Sequence, residues 1–385
     1  MTIGTLSSRF SHTVYLYGVS ALDYYFHNFR RKHISLLHLV YTGSLADLSK
    51  DVDNLSFPGL DGVDAQATID GIEYQFLLLD HDPVQTIPRG LAPFNLLYEP
   101  GTKTYTDLDS AYGAMKSREM LGMDGWLNAG SHNPHHCWEG AVYAARFPLN
   151  PNTREHIQNL EKQPPEIWQK LEIPFIRRSL NLILTGRWAH QGLELLHRTG
   201  AIAYLWPHIA AMDRTSQSKE CHPEGNVWEH SLETLKHRKN YSLVLGLSLF
   251  LHDCGKPKAQ RNKNRLFDGH AEIGAALARD ILENLEYPSQ IIEDVCWLVQ
   301  SHMLPSGLKT LPSYRTEPYL AHELFPTLLE LYRCDLASTW RDLGDYHHAC
   351  GVYKGFQRYR KNPYRESDGK KTTRKHLLNH LLNID

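Results

Sequence analysis

The stretch "LFLHDCGKP" at 249–257 is the feature that most constrains how this chain can fold. An apolar run leads directly into two polar residues, His252 and Asp253. Strongly solvated side chains at the end of a buried segment cost free energy unless they bind a partner. The stretch therefore predicts a polar site inside an apolar core, with these two residues as its centre.

Further polar residues of the same types recur along the helical second half of the chain. Each would otherwise interrupt the apolar face of a predicted helix, and they are His230, His252-Asp253, His270, His302 and Asp335. A single histidine on an apolar face is usually an ordinary core residue with a hydrogen-bond partner. Helical bundles, however, form metal sites from inward side chains of facing helices. Five such positions in order predict a centre for Mg²⁺ or a first-row divalent metal.

The composition narrows the class of protein. The 385 residues exceed one ordinary core and predict two or three domains. A content of 42% hydrophobic and 22% charged residues is typical of a soluble globular protein. The formal net charge of −2 means that any nucleic-acid surface is local. We see neither an apolar run as long as a membrane span, about 20 residues, nor a signal core, so we expect a cytoplasmic protein without a membrane partner.

The local patterns change character along the chain. "TVYLYG" and "ISLLHLVYTG" predict buried strands, "ALDYYFHNFRRK" a helix, and "VDAQATIDGIEYQFLLLD" a hairpin with Asp-Gly at its turn. From about residue 153 the apolar spacing becomes helical, and Gly186 and Gly200 end two of the predicted helices. A segment rich in Asn, His and Pro at 128–140 predicts a linker. Six cysteines lie far apart without a CxxC pair, which predicts free thiols.

Three stretches of the second half carry a family resemblance. The order H…HD…H…H…D resembles the HD phosphohydrolase superfamily. "HPEGNVWEHSLETL", "LHDCGKP" and "FDGHAEIGAALARDIL" are similar to the HD region of bacterial tRNA nucleotidyltransferases and their poly(A) polymerase relatives. The resemblance covers about residues 175–305 and is weaker elsewhere.

This resemblance implies roles for the recurring residues. The core metal ligands would be His230, His252, Asp253 and Asp335. His270 and His302 match histidines that hold a second metal or a phosphate, and Asp253 would bridge two ions. The expected cofactor is one or two divalent ions of Mn, Mg, Fe, Ni or Co, and the expected catalytic residues are Asp253, Lys256, His270 and His302. Lys256 would contact a phosphate, unless it is a solvated lysine at a helix end.

The first half resembles the nucleotidyltransferase head of the same family, with losses at the points that bind metal. In "VYLYGVSALDYYF", Gly18 and Asp23 match the opening signature, whereas Val19 replaces its second glycine. The following strand should carry paired carboxylates, but Leu36 and His38 stand there. Leucine cannot bind Mg²⁺, and a neutral histidine is a poor ligand for a hard cation. If transfer were retained, the first carboxylates to consider would be Asp23, Asp70 and Glu73.

Two further family segments are altered. In "IPRGLAPFNLL", Arg89 and Asn95 match an Arg-Asp-Phe-x-x-Asn-Ala segment, but Gly90 replaces the aspartate. The base-reading Glu-Asp-x-x-Arg motif expected before "AARF" is not recognisable. The head is therefore expected to keep the fold and to have lost polymerase chemistry.

We predict an α+β protein: a small mixed α/β nucleotidyltransferase-like head followed by an all-α HD-type helical domain. The predicted domains are a head at 1–125, a neck or helical linker at 126–215, an HD phosphohydrolase domain at 216–353 and a basic tail at 354–385. The predicted function is metal-dependent hydrolysis of a phosphomonoester or cyclic phosphodiester on a nucleotide or RNA 3′ end, with tRNA as a candidate partner. Two alternatives stay open, an active tRNA nucleotidyltransferase or poly(A) polymerase, and a non-catalytic RNA-binding scaffold.

Three minor features have weaker implications. His132, His135, His136 and Cys137 could bind a metal but are interpreted as incidental residues of a polar loop, and His347-His348 with Cys350 are interpreted in the same way. The segment 354–376 has nine Lys/Arg against two acids. It either binds an RNA backbone, with Tyr359 and Tyr364 stacking on bases, or is merely solvated.

Overall fold

The chain folds into two compact units. A computed structural model describes residues 3–27, 36–59, 62–79, 82–87, 90–118, 133–158, 162–217, 225–262, 265–340 and 342–360. The first unit is Met1–Leu205 and the second is Trp206–Asp385. The boundaries of the four predicted domains stay predictions.

A six-stranded sheet forms the core of the first unit. Its strands are β1 (Val14–Tyr17), β2 (Leu36–Tyr41), β3 (Ala65–Ile69), β4 (Ile72–Leu78), β5 (Leu96–Glu99) and β6 (Thr104–Asp107). The order across the sheet is β3-β4-β2-β1-β5-β6, and only β2 and β4 are parallel to each other. Strand β2 is therefore central, which agrees with its apolar sequence.

The predicted hairpin is confirmed, and its turn explains the register of β3 and β4. Asp70 and Gly71 connect the strands with φ of 53° and 76°. Positive φ at both central residues is typical of the tight turn that Asp-Gly favours. The register then continues into β2, where His38 is the Cα partner of Gln75 and Leu36 is the partner of Glu73. Partners in a ladder point to the same side of a sheet, so these four side chains share one face.

Helices complete the first unit. They are α1 (Val19–Tyr25), α2 (Leu45–Asp51), α3 (Pro83–Thr86), α4 (Ala111–Ser117), α5 (Pro134–Arg146), α6 (Pro151–Gln158), α7 (Ile173–Leu184), α8 (Ala189–Arg198) and α9 (Ala201–Leu205). Within the region of helical spacing that begins near residue 153, the segment Pro165–Lys170 forms a 3-10 helix.

The linker predicted at 128–140 is wrong for its second part, because α5 begins at Pro134. Asn133 caps that helix by accepting a hydrogen bond from the His135 amide, and Pro134 stands in the first turn, where no intrahelical donor is needed. The polar composition that predicted a loop is thus the start of a helix.

Two glycines allow α5 to pack tightly on the segment that begins α8. A Cβ at Gly186 would lie 2.3 Å from the Ala145 carbonyl oxygen, and a Cβ at Gly192 would lie 2.5 Å from that of Ala141. Only glycine permits such an approach of two backbones.

The second unit is helical, as predicted, with one small addition. Its helices are α10 (Pro207–Ala210), α11 (Val227–Lys236), α12 (Leu243–Leu251), α13 (His270–Asn284), α14 (Ser289–Ser301), α15 (Leu304–Gly307), α16 (Ser313–Leu320), α17 (Phe325–Ala337) and α18 (Gly344–Arg360). The addition is a two-stranded ribbon, β7 (Gln260–Asn262) and β8 (Arg265–Asp268), which leads into α13. The predicted α+β class is confirmed.

Gly255 brings the start of α13 against the end of α12. A Cβ at this position would lie 2.0 Å from the His270 carbonyl oxygen and 2.6 Å from the Gly274 amide nitrogen. Both are backbone atoms of a helix, which cannot move aside independently. The glycine that follows Asp253 by two residues therefore sets how closely His270 approaches it.

Two predictions about the whole chain can be compared with the described residues. Cys137, Cys254, Cys296, Cys334 and Cys350 are all free thiols. Within the described ranges, the helices are too short or too polar to cross a membrane.

Candidate metal centre

Four histidines of the second unit surround one aspartate. The Nε2 atom of His252 lies 3.3 Å from Asp253 Oδ2, and that of His230 lies 3.7 Å from the same oxygen. On the other oxygen, Oδ1, the Nε2 atoms of His270 and His302 lie at 3.6 and 3.7 Å. Each carboxylate oxygen of Asp253 thus faces its own pair of imidazoles.

The remaining predicted ligand, Asp335, joins one of these pairs. Its Oδ1 lies 3.0 Å from His230 Nε2. The structure therefore brings together all six predicted metal-binding residues from α11, the end of α12, α13, the end of α14 and α17.

Backbone and hydroxyl groups fix the orientation of the four rings. The Nδ1 atoms of His252, His270 and His302 lie 2.9, 2.8 and 2.7 Å from the carbonyl oxygens of Leu249, Phe267 and Val299. Each carbonyl belongs to the residue three positions earlier, so one local geometry repeats three times.

The fourth ring has a different partner at Nδ1. His230 Nδ1 lies 3.2 Å from Ser338 Oγ. An Nδ1 held in this way presents Nε2 to the centre, which is how metal-binding histidines are usually oriented.

The spacing of the ligand atoms matches the size of a divalent ion. Two ligand atoms each about 2.1 Å from one ion lie roughly 3.0–3.4 Å apart. The pair His230–Asp335 is 3.0 Å apart and the pair His270–His302 is 3.1 Å apart. His230, His252 and Asp253 form one candidate group, and Asp253, His270 and His302 form a second. The two groups share Asp253.

Unsatisfied polar atoms at the centre support a bound cation. His252 Nε2 and Asp253 Oδ1 are buried and make no hydrogen bond to the described residues. Buried polar atoms without partners are rare in native proteins and indicate a missing ligand, water or ion. A donor set of imidazole nitrogens and carboxylate oxygens suits a divalent metal.

The electrostatics keep the ligands in their metal-binding forms. Burial alone would raise the pKa of Asp253, but the neighbouring His252 and the Lys256 ammonium hold it well below its usual range. Burial lowers the pKa of His302 to about 4 and also lowers that of His270. The carboxylate is therefore charged and these two imidazoles are neutral at neutral pH, as metal ligation requires.

Lys256 is not the solvated lysine of the alternative interpretation. Its ammonium contacts Asp253 Oδ2 at 2.5 Å and Gln217 Oε1 at 2.7 Å, and its side chain is 11% exposed. The side chain is therefore part of the centre, and its contact with a phosphate stays a prediction.

Three residues of the centre were not predicted from the sequence. Gly255 is recognisable in "HDCGK", and Ser338 follows Asp335 by one helical turn, so both had a local signal. Gln217 lies 39 positions from its partner Lys256 and had none.

The head has other residue types at the point of β2 where paired carboxylates are expected. Leu36 and His38 lie on β2, and His38 is buried. Asp23 is bonded to Arg146 at 2.5 Å, and Asp70 lies in the hairpin turn at 3.7 Å from Arg9. Of the three carboxylates considered, Glu73 alone is the register partner of Leu36.

A carboxylate does stand beside Gly90. A Cβ at Gly90 would lie 2.6 Å from Glu139 Oε1, and Glu139 Oε2 accepts a hydrogen bond from the Leu91 amide at 3.0 Å. Asn95 closes the same turn, because its side chain bonds both the amide and the carbonyl of Gly90. Arg89 lies outside the described residues.

The minor histidine clusters are placed on helices. The first cluster was interpreted as part of a polar loop, but helix α5 contains His135, His136 and Cys137. Helix α18 contains His347, His348 and Cys350. Neither cluster is among the candidate metal groups of the described residues. His132 and the tail beyond residue 360, including Tyr364, lie outside those residues.

Comparison with known families identifies the region that carries the metal centre. Residues 227–333 match the model of the HD domain. The region around the candidate ligands is thus similar to HD domains. Five of the six candidate ligands lie inside the match, and Asp335 lies two residues beyond it.

Curated relatives extend the comparison beyond the HD domain. The CC-adding tRNA nucleotidyltransferase of Thermus thermophilus is 30% identical over 221 residues, which cover 52% of this chain and 49% of that protein. The A-adding tRNA nucleotidyltransferase of Deinococcus radiodurans is 26% identical over 219 residues, covering 53% of this chain and 49% of that protein. The chain is thus related to these enzymes, and its similarity spans about half of their length.

A solved structure shares the fold. The crystal structure of the Bacillus stearothermophilus CCA-adding enzyme in complex with CTP matches with a TM-score of 0.53 at 12% identity, covering 93% of this chain and 81% of that one. The likeness supports a nucleotidyltransferase-like head followed by a helical region.

These comparisons correct the predicted function and enzyme class. The relatives are named tRNA nucleotidyltransferases, which are transferases, so the phosphohydrolase prediction is wrong. The physical reason is that an ordered set of histidines and aspartates specifies a metal centre, not the reaction that takes place beside it.

Proposed function

We propose that this protein binds the 3′ end of a tRNA and transfers nucleotides to it. The observation that carries the proposal is the extent of the similarity to the CC-adding enzyme. The aligned part is 52% of this chain, whereas the HD domain spans only residues 227–333. The similarity therefore extends beyond residues 227–333. The activity in the relative's name is for this reason relevant to more of the chain than its HD-like region.

Of the three carboxylates considered above, Glu73 is the one that lies at the expected position in the described part of the head. Mg²⁺ in phosphoryl-transfer sites is often held by one or two carboxylates together with the phosphates of the substrate. Glu73 lies beside Leu36 in the register of β4 and β2, and it accepts a hydrogen bond from Gln75 at 2.7 Å. Glu73 is therefore the residue proposed to anchor the ion that accompanies the nucleotide.

A second candidate function is tRNA binding without nucleotide transfer. The observation that favours it is the presence of Leu36 and His38 on β2, because neither residue type holds Mg²⁺ well. A site that holds its metal ions with a single carboxylate in place of a pair neutralises the charge of a phosphoryl-transfer transition state less completely.

One experiment separates the two candidates. The purified protein is given a tRNA lacking its 3′ end, labelled CTP or ATP, and Mg²⁺. Transfer predicts incorporation of label that Glu73→Gln abolishes, while the strand glutamate Glu99 can be changed to Gln without effect. Retention of the tRNA without incorporation would establish the second candidate, and failure to bind the tRNA would refute both.

We also propose that the six-residue centre of the HD domain holds divalent metal. His230, His252, Asp253 and Asp335 are the proposed ligands of one ion, and Asp253, His270 and His302 those of a second. A bound divalent ion would neutralise the charge on phosphate oxygens of an RNA end. Lys256 would add a further positive charge at the same place.

Thermal unfolding provides a test of the metal proposal. A ligand that binds only the folded state stabilises it by about 2.7 kcal/mol at a concentration 100 times its Kd. The melting temperature of chelator-treated protein should therefore rise when Mn²⁺ or Co²⁺ is added. A melting temperature that does not respond to any of the candidate ions would count against the centre.

A further inference from the structure

The Lys256 ammonium beside the candidate metal centre is held from three directions. Its Nζ atom donates to Asp253 Oδ2 at 2.5 Å and to Gln217 Oε1 at 2.7 Å. It also lies 5.6 Å from the centre of the Phe267 ring. A cation within about 6 Å of an aromatic ring is attracted to the face of that ring. Because lysine has a flexible four-carbon stem, these simultaneous contacts are what keep its charge at one place.

Gln217 is itself fixed to the start of the helix that carries His230. Its backbone amide donates to the Gly225 carbonyl at 3.0 Å, and its Nε2 atom donates to the Asn226 carbonyl at 3.4 Å. Asn226 in turn caps α11, because its side chain accepts a hydrogen bond from the Glu229 amide. The ammonium and a candidate metal ligand are therefore positioned from the same point of the fold.

Phe267 connects the ammonium to a second imidazole through an unusual backbone conformation. Its φ is 61°, in the left-handed region that bulky side chains rarely adopt. In this conformation its carbonyl oxygen lies 2.8 Å from His270 Nδ1, while its ring contacts the Lys256 ammonium. Strained residues persist where the surrounding structure holds them, and they concentrate at functional sites. The strained backbone at Phe267 thus serves both the ammonium and a candidate metal ligand.

The ammonium retains a donor and is accessible to a small ligand. Lysine has three N–H donors, and Asp253 and Gln217 accept two of them. Lys256 makes no other hydrogen bond to the described residues. Solvent reaches the centre at Lys256, Asp335 and His270, whose side chains are 11%, 20% and 12% exposed. The Gln217 oxygen is neutral, so its contact fixes the position of the positive charge without cancelling it.

We propose that Gln217 and Phe267 are positioning residues, which hold the Lys256 ammonium in place to bind a phosphate group at the metal centre. Fixing a flexible side chain before binding removes the cost of ordering it from the affinity for the ligand. Gln217 lies before residues 227–333, the part of the chain that matches the HD domain. The inference rests on the metal centre of the proposed function and adds residues that determine how well this centre holds phosphate.

Calorimetric titration of the full chain with inorganic phosphate, once with Mn²⁺ and once with EDTA, is the test. Lys256→Met should weaken phosphate binding about 10–100-fold, which corresponds to one charge-assisted hydrogen bond. Gln217→Met keeps the size of the side chain but offers no oxygen to the ammonium, and it should weaken binding about tenfold. Gln290→Met is the matched control, because the Gln290 amide donates to Asp294 on the exposed side of α14. It should leave the affinity for phosphate unchanged.

A double variant separates positioning from a purely structural effect. If Gln217 acts through Lys256, Gln217→Met combined with Lys256→Met should bind phosphate within about twofold of Lys256→Met alone. Independent effects would multiply instead. Phe267→Leu removes the ring and should weaken phosphate binding about threefold, whereas Phe267→Tyr keeps the ring face and should retain the affinity.

Melting curves identify any variant that fails to fold. Gln217→Asn, whose side chain is one carbon shorter, is a second, polar replacement and should show the same loss as Gln217→Met. The proposal is overturned if these variants or Phe267→Leu fold and bind phosphate as the wild type does, or if Gln217→Met and Lys256→Met act independently. It is also overturned if the wild type binds no phosphate in either buffer. A wild type that binds no Mn²⁺ refutes the proposed metal instead, and the titrations in EDTA then decide this proposal.

Discussion

Replacing Gly255 with alanine should separate the two halves of the metal centre. The new Cβ would lie 2.0 Å from the His270 carbonyl oxygen and 2.6 Å from the Gly274 amide nitrogen. Ordinary contacts are about 3.5 Å, so α13 has to move by roughly 1.5 Å. Overpacking of this kind costs about 1–3 kcal/mol, and rigid backbone on both sides places the cost near 3 kcal/mol.

The displacement should affect one of the two ligand groups. Metal–ligand distances tolerate changes of about 0.2 Å. Moving α13 would carry His270 away from Asp253, while His230, His252 and Asp335 lie on other elements. Gly255→Ala is therefore expected to lose the ion of the second group and to keep the ion of the first.

Metal analysis and thermal melting together test this reasoning. Gly351→Ala is the control, because Gly351 lies in α18 of the same unit and a Cβ there meets no atom within 4 Å. That variant should be stabilised by about 0.5–1 kcal/mol. Gly255→Ala should melt roughly 6–12 °C lower than the wild type. A Gly255→Ala protein with wild-type melting temperature and metal content would refute the close-packing argument.

The remaining predictions concern a carboxyl of the first unit and a hydroxyl of the second. Burial raises the pKa of Glu139 to about 7, so its contribution to stability is present below about pH 4.5 and is lost as the pH rises through 7. The free energy of unfolding of the wild type should fall by about 3 kcal/mol relative to Glu139→Gln across that range, as measured in urea, and parallel curves would contradict the prediction. Ser338→Ala removes the partner of His230 Nδ1 and should weaken metal binding about 10–100-fold in a chelator competition. The neighbouring control Thr339→Ala should not, and equal affinities in both variants would show that the hydroxyl has no orienting role.

Local signals in the sequence were sufficient for much of the fold. Asp70-Gly71 predicted the hairpin because its turn requires positive φ at both residues. Glycine stops predicted the ends of helices in the first unit. Helix α5 was missed because its first residues, "NPHHC", combine loop composition with the actual start signals, an Asn cap and a Pro in the first turn.

The candidate centre was predictable in its members but not in its geometry. Polar residues ending apolar helices indicated which side chains meet. The sequence did not indicate that Asp253 faces two imidazole pairs, one on each oxygen, since that depends on the crossing of five helices. Gln217 and Glu139 have partners distant in the sequence, and no local pattern indicates such pairs.

The function was predicted wrongly for a related reason. Ligand type and order define a metal centre, but the reaction depends on the substrate that the rest of the chain binds. The similarity to tRNA nucleotidyltransferases over about half of the chain carries that information, and the six ligands alone do not.

The metal content of the purified chain tests the central claim most directly. Wild type, Asp253→Asn and the exposed control Asp280→Asn are reconstituted with Mn²⁺ or Co²⁺, and bound metal is counted per chain. The shared position of Asp253 predicts that the wild type and Asp280→Asn bind up to two ions and that a folded Asp253→Asn protein binds none. An Asp253→Asn protein that keeps the full metal content of the wild type would contradict the account.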